Sequence, residues 1–245
     1  LKSIFFFIMK KYIYKFICID KSTFETSYVK NKSVIVHNIF ARGKKQQQMR
    51  TNRFNVGFLG TLDYHKGLDF LFECIQEINK NYKKIFFIIG GDISIKSNLL
   101  SKILHLFKIK KNIKTIIFSY EKKLKNVKFL GPVKNLDRFY NNLSLIVFPS
   151  RMNALGRPII EASSYAIPSV VCLEKKNIND TIVHKKTGYI TKFGNKNEFV
   201  NYIVKIYNNK SLFQKLKKNS YKLFLKTHSS KQNIQKMKKM YNDAL

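Results

Sequence analysis

The sequence predicts an α/β fold: a parallel sheet with helices on both faces, followed by a run of C-terminal helices. Three observations predict it. From Phe54 onward, short apolar runs of strand length alternate with helix-length segments. The runs are mostly apolar and resemble strands buried on both faces of a parallel sheet. The intervening segments space their apolar residues by three and four, the period of a helix packed on one side. Hydrophobic residues make up 44% of the 245, and only 10 glycines and 4 prolines are present. A packed core is therefore expected, and a long flexible linker is not.

In chain order, the first expected elements are a helix from Ser3 to Lys15, a short strand at Phe16–Ile19, a second helix and the strand SVIVHNIF, residues 33–40. Residues 41–53, ARGKKQQQMRTNR, are almost free of apolar side chains and read as a linker or exposed loop. The strands that follow are NVGFLG (55–60), IFFIIG (85–90), NVKFL (126–130), SLIVFP (144–149), PSVVCL (168–173) and TGYIT (187–191). Between the first two, Leu68, Leu71, Phe72, Ile75 and Ile78 form one helix face. Three helices close the chain, at Glu198–Tyr207, Ser211–Thr227 and Lys231–Ala244.

Lys and Arg number 47 against 14 Asp and Glu, a formal net charge of +33. Such a charge fits an anionic partner, either lipid or nucleic acid. It equally fits coding bias, because only six of the 47 are arginine and the lysines are spread over the whole chain beside abundant Asn, Ile, Phe and Tyr. Phe70, Phe72, Phe86 and Phe87 fall mostly at expected core positions, which weighs against a nucleic-acid surface of interleaved aromatic and basic residues. Cys18, Cys74 and Cys172 sit far apart in apolar runs, outside any metal spacing, and are expected as free thiols in a reducing cytoplasm. No apolar stretch reaches the length of a membrane span; the opening FFFIM run is broken at Lys10 and Lys11. The first residue is Leu1, from which a truncated reading frame is expected.

Ligands of an open parallel sheet bind outside the carboxyl ends of the strands. Three loops there stand out. GTLDYHKG (60–67) combines turn-permitting glycines with Lys66 just before a helix, a cation for a phosphate or a solvated lysine among many. GGD (90–92) offers either close backbone approach or a plain sharp turn. PSRMNALGRPIIEASSYAIP (149–168) sets Gly156 and Pro158 around a helix start, so that the amides of Ala154, Leu155 and Gly156 converge on an anion site. Glu161 follows one turn in, either as a helix-dipole partner or as an acceptor for vicinal hydroxyls.

The third loop resembles family 4 of the glycosyltransferases. That family shows P-S, a few residues, Glu, seven residues, a second Glu, Ala and then a G/A-x-P-V-V strand, which PSRMNALGRPIIEASSYAIPSVV follows. FLGTLDYHKG is similar to the family's V-G-R-L-x-x-x-K-G loop, NVKFLGPV to its V-x-F-L-G-x-V strand, HKKTGYI to its x-D/N-G-x-T-G-x-L loop, and SVIVHNIF to the strand ending its N-terminal domain. The resemblance covers residues from about 20 to 227 in the family's order. It implies a GT-B type fold with a Rossmann-like donor domain over residues 51–228. Residues 1–50 would be a remnant of the acceptor-side domain plus a linker, and 229–245 a C-terminal helix.

It further implies transfer of a sugar from a UDP- or GDP-type donor to an acceptor hydroxyl, with retention and without a bound metal. Glu161 would bind the ribose, and Lys66 the diphosphate. Ala154, Leu155 and Gly156 would present amides to diphosphate and sugar, with Gly60 and Gly90 lining the site and Gly131–Val133 edging the base. Two positions depart from the pattern. Asn153 stands where the first Glu belongs, so an amide would meet the donor sugar; Thr61 replaces an arginine, a loss for which Arg157 could compensate. The glycine-rich acceptor loop and the histidine of such enzymes are expected upstream of Leu1, and neither His37 nor His65 matches that histidine's position, so the chain is expected to bind donor without turnover. The implied acceptor is a cell-envelope glycan or lipid-linked sugar, with the protein peripheral at the inner face of an anionic membrane and no nucleic acid bound. A nucleotide-sugar epimerase of related fold is the competing enzyme reading.

Overall fold

The computed structural model describes residues 7–8, 11–25, 27, 29–41, 53–93, 117, 119–120, 122, 124–152, 155–174 and 180–244. Its main sheet has six strands: β3 (Phe54–Leu59), β4 (Ile85–Gly90), β5 (Val127–Gly131), β6 (Leu145–Phe148), β7 (Ser169–Cys172) and β8 (Gly188–Thr191). They lie in the order β5-β4-β3-β6-β7-β8, and every pair is parallel. A separate two-stranded parallel ladder joins β1 (Phe16–Cys18) to β2 (Ser33–Ile35), with the short helix α1 (Lys21–Glu25) between them. The other helices are α2 (Leu68–Asn81), α3 (Leu136–Asn141), α4 (Arg157–Ser164), α5 (Lys196–Asn208), α6 (Lys210–Thr227) and α7 (Ser230–Asn242).

Burial on both faces explains the apolar runs of β6, β7 and β8, whereas the edge strand β5 keeps Lys128 exposed. Along β6, Leu145 and Val147 enter one core while Ile146 and Phe148 enter the other. Val170 and Cys172 oppose Val171 on β7 in the same way, as Tyr189 opposes Ile190 on β8. Period-2 alternation thus survives in which core each side chain joins, not in its polarity. The first core is roofed by α2 and α5 through Leu71, Ile75, Ile78, Phe199 and Ile203, the second by α3 and α4 through Phe139, Tyr140, Ile159 and Ala162. Asparagine side chains start three helices: Asn135, Asn195 and Asn209 accept from the amides of Arg138, Glu198 and Leu212. Among the described residues no helix is long and apolar enough to cross a membrane.

The six expected strands agree with the structure within a residue or two. The N-terminal part departs from expectation. The helix expected to Lys15 is helical only to Tyr12 among its described residues, and the strand expected over 33–40 stops at Ile35. Beyond Val36, whose amide still donates to the Cys18 carbonyl of β1, the backbone finds other partners: the His37 amide donates to Asn233 Oδ1, the Phe40 amide to the His228 carbonyl. Most of the expected linker, residues 42–52, lies outside the described residues. Phe70, Phe72 and Phe87 are core residues as expected, whereas Phe86 is half-buried beneath the Arg53 guanidinium, 4.4 Å from its ring centre. The three cysteines are free and buried; burial pushes Cys172 up to about 12, so it stays an inert thiol.

A polar knot ties this N-terminal segment to the C-terminal helices. His37 Nε2 lies 2.6 Å from Asp180 Oδ2, which also accepts from the Lys21 amide at 2.8 Å. The rings of His37 and His228 meet edge to face at 5.3 Å. Burial holds His228 below its ordinary range, against the opposing pull of the Asn38 carbonyl. Burial by itself would raise Asp180, but the His37 hydrogen bond and charge bring it below the usual carboxylate range. Both groups therefore bind a proton more readily when unfolded, and both lose stability on acidification. The His228 contribution falls away below about pH 6.5, and the Asp180 contribution below about pH 4. Urea unfolding at pH 7.5 and pH 5.5 is expected to show a drop that His228→Gln reduces, by at most about 1.4 kcal/mol per pH unit, the limit for one proton. Equal drops in both proteins would refute this account.

Candidate functional site

The chain runs from β3 outward to β4 and β5, then returns to place β6 on the other side of β3. Strand order reverses at that point, and ligands of such sheets bind outside the carboxyl ends of the two diverging strands, here β3 and β6. The loops leaving these two strands are 60–67 and 149–156, both singled out by the sequence.

They are fastened to each other. Gly67 adopts the left-handed conformation (φ 72°, ψ 30°), and a Cβ there would overlap the Pro149 carbonyl oxygen, so only glycine fits this approach. The Arg151 amide and Ser150 Oγ both donate to the His65 carbonyl, at 3.0 and 3.2 Å. The Arg151 guanidinium forks onto Asp69 at 2.7 and 2.6 Å, donates to the Tyr64 carbonyl and lies 4.4 Å over Phe193. Sequence reasoning missed this bidentate pair, because nothing local relates positions 82 residues apart.

Within this frame Lys66 is positioned by its own backbone, whose amide donates to Asp63 Oδ1 at 2.8 Å. Its ammonium lies 5.5 Å over the Phe148 ring and 4.0 Å from Met152 Sδ, and among the described residues it enters no ion pair. Phe148 also backs the other loop: a Cβ on Gly156 would run into its ring. Lys66 and the start of α4 thus share one buried aromatic. Gly156 is the N-cap, so the first amide of the helix is that of Arg157; Pro158 has none. This moves the helix start one residue beyond the expected amide set. Leu155 packs half-buried against the second core, while Asn153 and Ala154 lie outside the described residues.

A second group forms at β3–β5. The Gly60 amide donates to the Gly90 carbonyl at 3.1 Å and the Gly91 amide to the Gly131 carbonyl at 2.8 Å, lining up three of the expected glycines. Val133 closes over Gly90, and Thr61 is exposed at the loop tip. A cavity of about 390 Å³ opens beside Val133 between β4, β5 and α3, with Lys128, Lys134 and Arg138 at its rim. It does not reach Lys66, Gly156 or Glu161.

Glu161 lies beyond the first turn of α4, where a helix dipole has faded, so the dipole reading loses its basis. Its carboxylate is held on two sides. Oε2 accepts from the buried Tyr140 hydroxyl at 2.6 Å, and Oε1 lies 3.5 Å from Arg157 Nη2. Arg157 is otherwise exposed, with its guanidinium 5.8 Å from the Phe40 ring. Among the described residues no three His, Cys, Asp or Glu side chains converge as a metal site.

The family model described as glycosyl transferases group 1 matches residues 40–223. The chain belongs to that family. Among its relatives is the capsular polysaccharide biosynthesis glycosyltransferase CapM of Staphylococcus aureus, 24% identical over 82% of this chain and 49% of CapM. An uncharacterized glycosyltransferase of Methanocaldococcus jannaschii is 25% identical over 94% of this chain and 59% of its own length. The chain spans about half the length of the curated relatives it matches. Two solved structures are similar in fold. S. aureus TarM, in complex with Fondaparinux, alpha-GlcNAc-glycerol and UDP, superposes with a TM-score of 0.77 at 19% identity, over 99% of this chain and 47% of TarM. Anabaena HepE, in complex with UDP and glucose, superposes with a TM-score of 0.76 at 17% identity, over 98% of this chain and 66% of HepE. The group 1 chain described here therefore carries the parallel, doubly covered sheet of GT-B-type glycosyltransferases.

Proposed function

We propose that loops 60–67 and 149–156 together bind a nucleoside diphosphate sugar, and that this chain supplies the donor side of a retaining, family 4 transfer reaction. The observation that carries this reading is the meeting of Lys66 and Gly156 on Phe148 at the point where strand order reverses. Lys66 and the first amide of α4 would then face the diphosphate, and stabilising the departing diphosphate would be the main catalytic contribution. Glu161 accepts from the ribose hydroxyls. Gly60, Gly90 and backbone around Gly131–Val133 line the base side. Asn153 meets the donor sugar through its amide, and Arg157 and Thr61 border the diphosphate.

In the reaction the bond from the anomeric carbon to the diphosphate oxygen breaks, and a bond to the acceptor oxygen forms on the same face. The acceptor hydroxyl passes its proton to the departing diphosphate oxygen, and the nucleoside diphosphate leaves. No metal is required, because fixed cations and amides carry the charge. A cell-envelope glycan or lipid-linked sugar is the acceptor class, in keeping with the capsular relative. Exposed lysines along α6 and α7, among them Lys215, Lys222, Lys231 and Lys238, support a peripheral position on anionic lipid at the cytoplasmic face. Residues 51–228 form the donor unit, and residues 1–50 belong to the acceptor side.

The test is a thermal-shift panel of UDP-, GDP- and ADP-sugars on the purified chain. At about 100 times the dissociation constant, one class is expected to raise Tm by roughly 5–10 °C, with UDP the first to try. Stabilisation by heparin or duplex DNA, and by no nucleotide sugar, would overturn the reading in favour of a charge-driven nucleic-acid binder.

A further inference from the structure

Tyr140 is buried on α3, yet its hydroxyl reaches across to the Glu161 carboxylate. Its ring is fixed twice over: Tyr165 stacks on it at 5.1 Å and 25°, and Phe139 meets it edge on at 5.2 Å. Tyr165 is itself anchored by donating to Asp137, which stands on the same helix as Tyr140. Burial, reinforced by the Glu161 carboxylate, pushes the Tyr140 hydroxyl well above its ordinary range, so it remains a proton donor at any working pH. Without such a contact a glutamate side chain samples several rotamers. Here one oxygen is held from the protein interior while the other stands beside Arg157 at the rim.

We infer that Tyr140 is a positioning residue for donor recognition: by holding Glu161 Oε2, it presents the remaining lone pairs of the carboxylate to the vicinal ribose hydroxyls. This rests on the reading of Glu161 as the ribose acceptor. The consequence concerns selectivity for ribose more than binding strength as such. A carboxylate fixed in one rotamer accepts both hydroxyls without first losing side-chain freedom, whereas a loosened one gives up part of that advantage.

Calorimetric titration of the full chain with UDP and with 2′,3′-dideoxy-UDP tests it. The wild-type chain is expected to favour UDP by roughly 30-fold or more, the range for hydrogen bonds to a charged acceptor. Tyr140→Phe keeps the ring and both aromatic contacts and removes only the hydroxyl. It is expected to cut that preference by about fivefold or more. Tyr165→Phe, which breaks the Asp137 bond in the same stack and leaves the Tyr140–Glu161 bond, is expected to retain it. Melting temperature would move with any structural role, but the UDP-to-dideoxy ratio moves only if Tyr140 acts through the ribose acceptor. An unchanged ratio in Tyr140→Phe overturns the inference while the donor reading stands. Equal affinities for the two nucleotides in the wild-type chain would instead refute the ribose role of Glu161, and the inference with it.

Discussion

Replacing Glu161 by alanine is expected to weaken binding of the preferred nucleoside diphosphate about 100-fold, equivalent to about 2.8 kcal/mol. The expectation follows from two hydroxyls losing a charged acceptor at a site where the carboxylate is mostly buried, each bond counting for about 1.4 kcal/mol, the low end for a hydrogen bond to a charged group. Lys66→Ala should also weaken binding, but less steeply for the nucleoside than for the diphosphate, because the ammonium has no contact with the ribose side. Glu161→Ala has a second, separable effect. It leaves the buried Tyr140 hydroxyl without its acceptor, at a cost of about 1–3 kcal/mol in stability. The double variant Tyr140→Phe/Glu161→Ala removes that orphan and should recover part of the lost stability while recovering none of the affinity. Isothermal titration and urea unfolding on the three proteins separate the effects. Wild-type affinity in Glu161→Ala would remove the ribose role altogether.

Gly67→Ala is expected to cost about 4 kcal/mol, a fall in Tm of roughly 8–16 °C for a chain of this size. A left-handed conformation accounts for about 1–2 kcal/mol of this in any residue with a Cβ. The remainder comes from the Pro149 carbonyl, which occupies the space the new methyl needs. That carbonyl cannot retreat easily, because the residues after it are tied to the facing loop through Ser150, Arg151 and the Arg151–Asp69 fork. The loop must open, and Lys66, the adjacent residue, moves with it. Loss of stability should therefore come with loss of the donor-induced thermal shift. A variant that melts within about 2 °C of wild type, roughly the effect of half a kcal/mol, would show that the two loops are not clamped together.

Much of this molecule is legible in its sequence because the physics is local. IFFIIG becomes β4 over the residues expected, since a short apolar run bounded by a glycine turn has few other ways to bury itself. The helix face of Leu68, Leu71, Ile75 and Ile78 is buried as its spacing requires. Glycine and proline likewise mark the start of α4, and Lys66 stands in a strand-end loop where ligand chemistry is expected. The misses also have a local cause. Residues 36–40 look like a continued strand because Val36, Ile39 and Phe40 are apolar, but past Val36 the backbone groups of His37, Asn38 and Phe40 bond to Asn233 and His228, almost two hundred residues away.

Only the tertiary structure decided which distant groups meet. Strand reversal between β3 and β6 brings two loops some ninety residues apart onto the one ring of Phe148. The Arg151–Asp69 fork, the His37–Asp180 contact and the Tyr140–Glu161 bond likewise carry no signature in spacing. The sequence determined what each segment is, because hydrophobic period and turn chemistry act within a few residues. The fold determined what each segment touches, because crossover direction and core packing act between elements, and a polar pair gains its energy only after both sides have been brought out of water together.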